Sequence, residues 1–373
     1  MNNREISEIR RRIRPEKNNI GRVRGCYVTN KTVVSEFNLN FQLISTDEAE
    51  ELLSVLRKIF SGSIGRNLID ISFTNQQVLE SDEHKLLSTL RNSALTDDEA
   101  IKTFYNKTVS SLELDGSYLL LLANDKYDVY TFSADGEKED SAEMFSYIMC
   151  AVCPIKSSKP TLSYALSENN FKNLTRDSII CAPELGFMFP AFDTRKANIY
   201  NALYYTRSTT ESHTEYTDAI FNSKLPKPAA EQTEELATII NSAVADECDI
   251  EFVQAIQSQL VEITQDHKNN KIDEPLVLSE KDIGSLLRCG GVGEDTVNEF
   301  TNKFSSDFGS STSITPANIM DLKKFEVKTP DVLVKVKAER NDLVETRVID
   351  GTKYILIRAD GDVEVNGIKI NIK

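Results

Sequence analysis

The stretch from Ser117 to Ile155 constrains this chain more than any other, because it carries three nearly unbroken apolar runs: Tyr118 to Ala123, Tyr127 to Phe132 and Phe145 to Cys153. Each run is short and bounded by Asn124-Asp125, Asp135-Gly136 or Pro154. A helix of that length between turns would bury little, so the runs read as strands apolar on both faces. They are expected to form the middle of a sheet, with the first two joined at Asn124 to Lys126 by a hairpin-like connection whose Asn and Asp suit a turn.

Around this centre, 373 residues suffice for two or three domains that bury cores without staples. The formal charge of −15 is unevenly spread. Met1 to Thr32 holds nine Arg or Lys against three Glu, and Asp321 to Lys373 is nearly neutral with eleven against ten. The body between them therefore carries about −22, by difference from the total of −15. An acidic body disfavours broad binding to nucleic acid or anionic membrane, an argument only the N-terminal segment escapes. No apolar run approaches the ~18 residues of a membrane span, and the start lacks the apolar core of a signal peptide, so a cytoplasmic protein with no membrane partner is expected. The six cysteines are too sparse for a disulfide framework and are expected to be reduced, several packing as small hydrophobes.

Ile6, Ile9 and Ile13 recur at helical spacing behind Asn2 or Asn3 as a cap and ahead of Pro15, predicting a short helix whose other faces carry Arg10, Arg11, Arg12 and Arg14. Val23 to Val28 and Thr32 to Phe37 flank Thr29-Asn30-Lys31 as a β-hairpin, with Arg22 and Arg24 on one strand face. Ser45 with Glu48 forms a capping box for a helix through Phe60, closed by Gly62; Leu68 to Phe73 is a strand. Helices follow at about 81 to 92 and 97 to 112, the second opened by Thr96 with Glu99. From 160 to 210 the pattern yields fragments: a strand near Ile179-Ile180-Cys181, the turn-rich Pro183 to Pro190, and a helix near Lys196 to Tyr205.

Pro226 and Pro228 among small residues mark the first domain boundary. Beyond it four helices are expected, ended by a Ser- and Gly-containing linker from Ser305 to Thr315. The last fifty or so residues switch to a period of two, as in Val332, Val334 and Val336 or Ile368, Ile370 and Ile372, which predicts a small antiparallel sheet or partial barrel with one wet face. The expected class is α+β, with an α+β domain at 1–222, a helical module at 231–308 and a small antiparallel β domain at 316–373.

Several whole phrases occur in a familiar order: Ile20 to Val28 (IGRVRGCYV), Phe60 to Asn67 (FSGSIGRN), Cys150 to Pro154 (CAVCP), Gly186 to Phe192 (GFMFPAF) and Phe325 to Val332 (FEVKTPDV). Together they resemble an uncharacterised bacterial family, the domain of unknown function DUF4317, over nearly the whole chain. The resemblance implies a cytoplasmic bacterial protein and brings no activity, ligand or site residue with it.

The remaining motifs each have a plainer reading. Cys150 and Cys153 lack the second knuckle of a zinc site and, three apart on a strand, point to opposite faces, so core packing is expected and no metal or cofactor. Gly62 to Arg66 follows a helix rather than preceding one, which suits a C-terminal cap better than a phosphate cradle. Leu287 to Gly293 resembles the hairpin of DNA-binding helix pairs, but Glu294, Asp295 and Glu299 oppose that use. His84, His213 and His267 lie in polar stretches without a nucleophile elbow. Phe187, Phe189, Phe192, Tyr200, Tyr204 and Tyr205 concentrate aromatics that form either core or a binding face for a peptide or base. The expectation that emerges is a binding or adaptor protein. It would contact an anionic partner (RNA, a ribosomal surface or an acidic protein) through Arg10, Arg11, Arg12, Arg14, Arg22 and Arg24, unless these arginines neutralise the chain's own acids. The rivals are an enzyme, such as a carboxylate- and metal-dependent phosphate-ester hydrolase, and a self-assembling protein pairing through its last sheet.

Overall fold

A computed structural model of the chain describes residues 1–132, 138–157, 161–167, 169–174, 178–211, 213–223, 225–244, 248–309 and 312–371. The expected turn at Asp135-Gly136 and the strand residue Ile372 lie outside them. The fold is α+β, in two compact units, Met1–Pro228 and Ala229–Lys373.

The first unit runs α1 (Asn3–Arg12), β1 (Arg22–Thr29), β2 (Thr32–Asn40), α2 (Thr46–Arg57), β3 (Leu68–Ser72), α3 (Asn75–Glu80), α4 (Asp82–Asn92), α5 (Asp98–Ser111), β4 (Ser117–Phe132), β5 (Lys138–Ser157), β6 (Thr161–Ala165), β7 (Asn170–Leu174), β8 (Ser178–Ile180), β9 (Leu185–Phe189), β10 (Ala191–Asp193), β11 (Lys196–Asn198), β12 (Asn201–Thr206) and α6 (Thr214–Phe221). The main sheet is antiparallel in the order β2-β1-β4-β5-β9-β12-β3, with β8 added beside β5.

Alternation along the central strands explains their unbroken apolar sequence. Leu120 and Leu122 of β4 with Cys150 and Val152 of β5 enter one core, beneath Leu87, Phe104, Tyr216 and Phe221 from α4, α5 and α6. Leu121, Ala123, Met149, Ala151 and Cys153 enter a second core on the opposite face, covered by Ile6 and Ile9 of α1 and Leu53 and Leu56 of α2. A strand covered by helices on both faces has no wet side, so its period of two is hidden in composition.

Three local expectations are corrected. The chain does not turn at Asn124 to Lys126. There β4 runs straight on, because the Asn124 amide donates to the Tyr147 carbonyl at 3.2 Å and Asp125 finds buried partners, so their polar side chains are satisfied inside the ladder. Lys196 to Tyr205 is not a helix but β11, a turn and β12: Ala202 and Tyr204 fill one core while Leu203 and Tyr205 fill the other, a two-sided strand pattern. The cap of α5 is Asp97 rather than Thr96, with Asp97 Oδ1 accepting from the Glu99 and Ala100 amides at 3.1 and 3.0 Å.

The second unit holds α7 (Ala229–Val244), α8 (Ile250–Asn269), α9 (Glu280–Cys289), α10 (Glu294–Phe308) and a short α11 (Pro316–Ile319) around Leu236, Phe252, Leu260, Leu287, Phe300 and Phe304. The expected linker begins as helix, since α10 continues to Phe308, whose ring stacks on Phe304 with centroids 4.9 Å apart. The closing strands form separate hairpins rather than one sheet or barrel: β13 (Lys324–Lys328) with β14 (Leu333–Lys337), β15 (Val344–Ile349) with β16 (Thr352–Ile357), and β17 (Val363–Val365) with β18 (Ile368–Ile370). Side-chain amides of α8, Gln257 buried and Gln254 half-buried, join it to the segments around β13 and the start of β15. Gln257 Nε2 donates to the carbonyls of Asp321 and Lys324 at 2.8 and 3.0 Å, and Gln254 Nε2 to those of Asn341 and Val344, both at 2.7 Å.

Gly186 in β9 marks how closely the central strands approach their neighbours, since an added Cβ would overlap the Cys150 carbonyl oxygen and lie 2.7 Å from Ile59 Cγ2. Gly186→Ala is expected to destabilise the protein by about 2 kcal/mol or more, as overpacking against backbone does, seen as a lower urea midpoint at unchanged m. Gly21→Ala, where the added carbon meets nothing within 4 Å, is the near-neutral control. Equal midpoints for the two would remove the packing argument.

Candidate functional site

Helix α1 is built to lie on the sheet and to leave one side in water. Asn2 caps it, accepting from the Glu5 amide at 2.9 Å while Glu5 Oε2 accepts from the Asn2 amide at 2.8 Å. Ile6, Ile9 and Ile13 are buried in the second core. Polar ties reinforce this apolar stripe: Glu8 accepts from the Tyr127 hydroxyl at 2.6 Å and from Arg195 Nη2 at 3.0 Å, and Glu5 accepts from the Thr194 amide at 2.7 Å.

Arg12 belongs to this anchoring. Its Cζ lies 4.0 Å above the Tyr127 ring, its Nη2 donates to the Lys126 carbonyl at 3.2 Å, and the same nitrogen is 3.8 Å from Asp125 Oδ2. Asp125 is fully buried and accepts from the Asn19 amide at 2.7 Å, the Lys126 amide at 2.9 Å and the Tyr147 hydroxyl at 2.6 Å. Burial pushes its carboxyl above the ordinary aspartate value, opposed by the Tyr147 hydrogen bond, the Arg12 charge and the two amides.

Because the buried stripe fixes the rotation of α1, Arg10 and Arg11 in its last turn and Arg14 just beyond are exposed. Among the described residues, none of their three side chains makes a hydrogen bond or ion pair. Exposed Lys17 follows in the same segment, interrupted by Glu16, and exposed Lys126 abuts it, since its carbonyl accepts from Arg12 and from Asn19 Nδ2 at 2.9 Å. No sequence signal links Lys126 to residues more than a hundred positions earlier.

The six arginines expected to act together are divided. Arg24 Nη2 pairs with Asp98 Oδ1 at 2.5 Å and its Nε donates to the Leu95 carbonyl at 3.2 Å. Arg24 lies opposite Leu122, which belongs to the core remote from α1, and Arg22, two residues away, shares that face. Arg10, Arg11 and Arg14 form the exposed set on the other side, with Arg12 beneath them. The aromatic face is likewise not assembled. Phe187, Phe189 and Tyr204 are buried in one core, Phe192 and Tyr205 in the other, and Tyr200 alone is exposed. The two-sided burial of β9 and β12 that dispersed them was hidden by the turn-rich sequence around them.

Cys150 and Cys153 enter opposite cores, and burial pushes the Cys153 thiol up to about 12 and the Cys150 thiol up as well. Among the described residues no three His, Cys, Asp or Glu side chains are grouped to hold a metal ion. His84 is a core residue despite its polar neighbours, packed edge-on to Phe73 and Phe189 with Nε2 2.9 Å from the Ile199 carbonyl. Among the described residues no helix is long and apolar enough to cross a membrane.

The architecture and this surface together define an α+β protein whose first helix presents exposed cations on a sheet-anchored base. The chain belongs to the family described as domain of unknown function DUF4317, whose model matches residues 1–368. No curated protein matches it.

The raised carboxyl of Asp125 has a signed consequence. The folded state holds this proton more tightly than the unfolded chain, so its contribution to stability is greatest below the ordinary aspartate range and declines as pH rises through the folded value. The melting temperature of wild type minus that of Asp125→Asn should therefore fall as pH is raised from below that range toward neutrality. A difference constant with pH would contradict the burial-dominated shift.

Proposed function

We propose that this chain is a cytoplasmic binding or adaptor protein that docks on a polyanion through Arg10, Arg11 and Arg14, with Lys17 and Lys126 beside them. One observation carries the reading. Arg12 and Arg24 are engaged with Asp125 and Asp98, as internal neutralisation requires, whereas Arg10, Arg11 and Arg14 are exposed and make no such pair among the described residues. A helix C-terminus favours cations, but favourable dipole placement leaves their guanidinium forks open to phosphate oxygens. The partner taken here is the phosphate backbone of RNA, free or on a ribosomal surface. An acidic protein is the alternative outcome.

The test is the triple change Arg10→Ala/Arg11→Ala/Arg14→Ala in the full chain, assayed against single-stranded RNA over a salt series. Binding is expected to weaken, and the slope of log K against log salt to flatten by up to ~2 units, about 0.7 per lost contact. The melting temperature should hardly change, since these side chains support no packing. RNA binding unaffected by the triple change would defeat the reading; partner capture from lysate that survives nuclease but is lost in the variant would reassign the surface to an acidic protein.

A further inference from the structure

On the sheet face remote from α1, three cations stand without a counter-charge where β1 begins. Arg22 lies opposite Asn40 of β2 and Asn124 of β4, and Lys126 lies opposite Ser146 of β5. Alternation places the Lys126 side chain on the strand face of Leu122 and Asn124, which Arg22 and Arg24 share, although its carbonyl serves Arg12 and Asn19. Arg91, in the last turn of α4, donates from Nε to the Ser146 carbonyl at 2.8 Å.

Register and that hydrogen bond bring the three within reach of one small ion. Arg22 and Lys126 are diagonal neighbours on adjacent strands, about 7 to 8 Å apart, a separation that long side chains span. The Arg91 guanidinium is held on the residue that faces Lys126, and antiparallel partners lie only about 5 Å apart. Among the described residues the side chains of Arg22 and Lys126 make no hydrogen bond or ion pair, and Arg91 makes only the bond from Nε, so both its Nη nitrogens are open.

Water can satisfy the hydrogen bonds of such groups, but it supplies no counter-charge. Asn40, Asn124 and Ser146 are neutral, and Asp98 is taken by Arg24. Asp128, two residues beyond Lys126 on the same strand face, forms no ion pair with Lys126 or Arg91 among the described residues and bounds the cluster on that side. Arg22 and Arg91 are half-buried, and burial lowers the Arg91 guanidinium below its ordinary value. Gathering like charges that are partly withdrawn from water costs free energy, which a bound anion offsets.

The number and kind of cations select the anion. Three cations so placed match a charge of about −2 on three terminal oxygens, as a phosphate monoester carries, and arginine forks bond pairs of such oxygens. A carboxylate or a phosphodiester brings a single charge and only two terminal oxygens.

We propose that Arg22, Arg91 and Lys126 form a binding site for a dianionic phosphate group, carried by a free phosphate species or by the 5′ end of an RNA.

Calorimetric titration of the full chain with inorganic phosphate at constant ionic strength tests this. Arg22→Gln/Lys126→Gln, which keeps the Arg91 bond to Ser146, should weaken phosphate binding about tenfold or more, as should Arg91→Gln. The charge-matched change Lys281→Gln/Lys323→Gln in the second unit should leave it within about twofold, since exposed distant charges are screened. Tighter binding of a 5′-phosphorylated single-stranded RNA than of its 5′-hydroxyl twin, with the preference lost in Arg22→Gln/Lys126→Gln, assigns the site to RNA ends; equal binding of the two assigns it to free phosphate species. That comparison alone rests on the polyanion reading, and its failure leaves the phosphate titration to decide. Absence of phosphate binding in wild type, binding unchanged in both Arg22→Gln/Lys126→Gln and Arg91→Gln, or an equal loss in the charge-matched control would overturn the proposal.

Discussion

Burial of the β4–β5 ladder on both faces is the constraint on which the first unit depends. Two long antiparallel strands, paired from Ser117 opposite Ile155 outward, carry apolar side chains on each side, and neither side can be left to water. One face is closed by α4, α5 and α6, the other by α1 and α2. Every helix of the unit with a buried stripe is thus placed by the demand of the same strands, and the cost of leaving either face open, about 25 cal/mol per Å² of apolar surface, is large against the marginal stability of any domain.

The candidate surface follows from that demand rather than standing apart from it. The isoleucines of α1 set its rotation on the sheet, and rotation decides which arginines face inward. Arg12 is drawn over Tyr127 and toward a buried carboxylate, while its neighbours in sequence, one and two residues away, are turned out. Three consecutive arginines on a helix cannot all face the same way, because successive side chains are about 100° apart. Division of the run into a structural member and an exposed set is the geometric outcome.

Polar side chains buried in both units do more organising than apolar patterning suggests. Asp125 lets β4 pass through a stretch that looks like a turn, and Gln257 of α8, with the half-buried Gln254 beside it, binds the carbonyls of segments some sixty to ninety residues later. These groups are tolerated inside because each finds hydrogen-bond partners there, which offset the desolvation cost.

The α+β class, the central strands, the capped helices α1 and α2 and the opposite facing of Cys150 and Cys153 were all legible in the sequence, since each rests on local periodicity or capping chemistry. Pairing across long separations was not. Lys196 to Tyr205 looked helical, and its Tyr200, Leu203 and Tyr204 do fall at three- and four-residue spacing; β3 and β9 on either side make its second half a strand. In the same way the aromatics at 187, 189, 192, 204 and 205 read as core or as a binding face until two-sided burial consigned them to different cores. Charge alone identified the basic N-terminal segment, but which of its arginines are open was decided by Asp125 and Asp98, about a hundred and about seventy residues downstream, because an ion pair depends on distance in space and sequence records only distance along the chain.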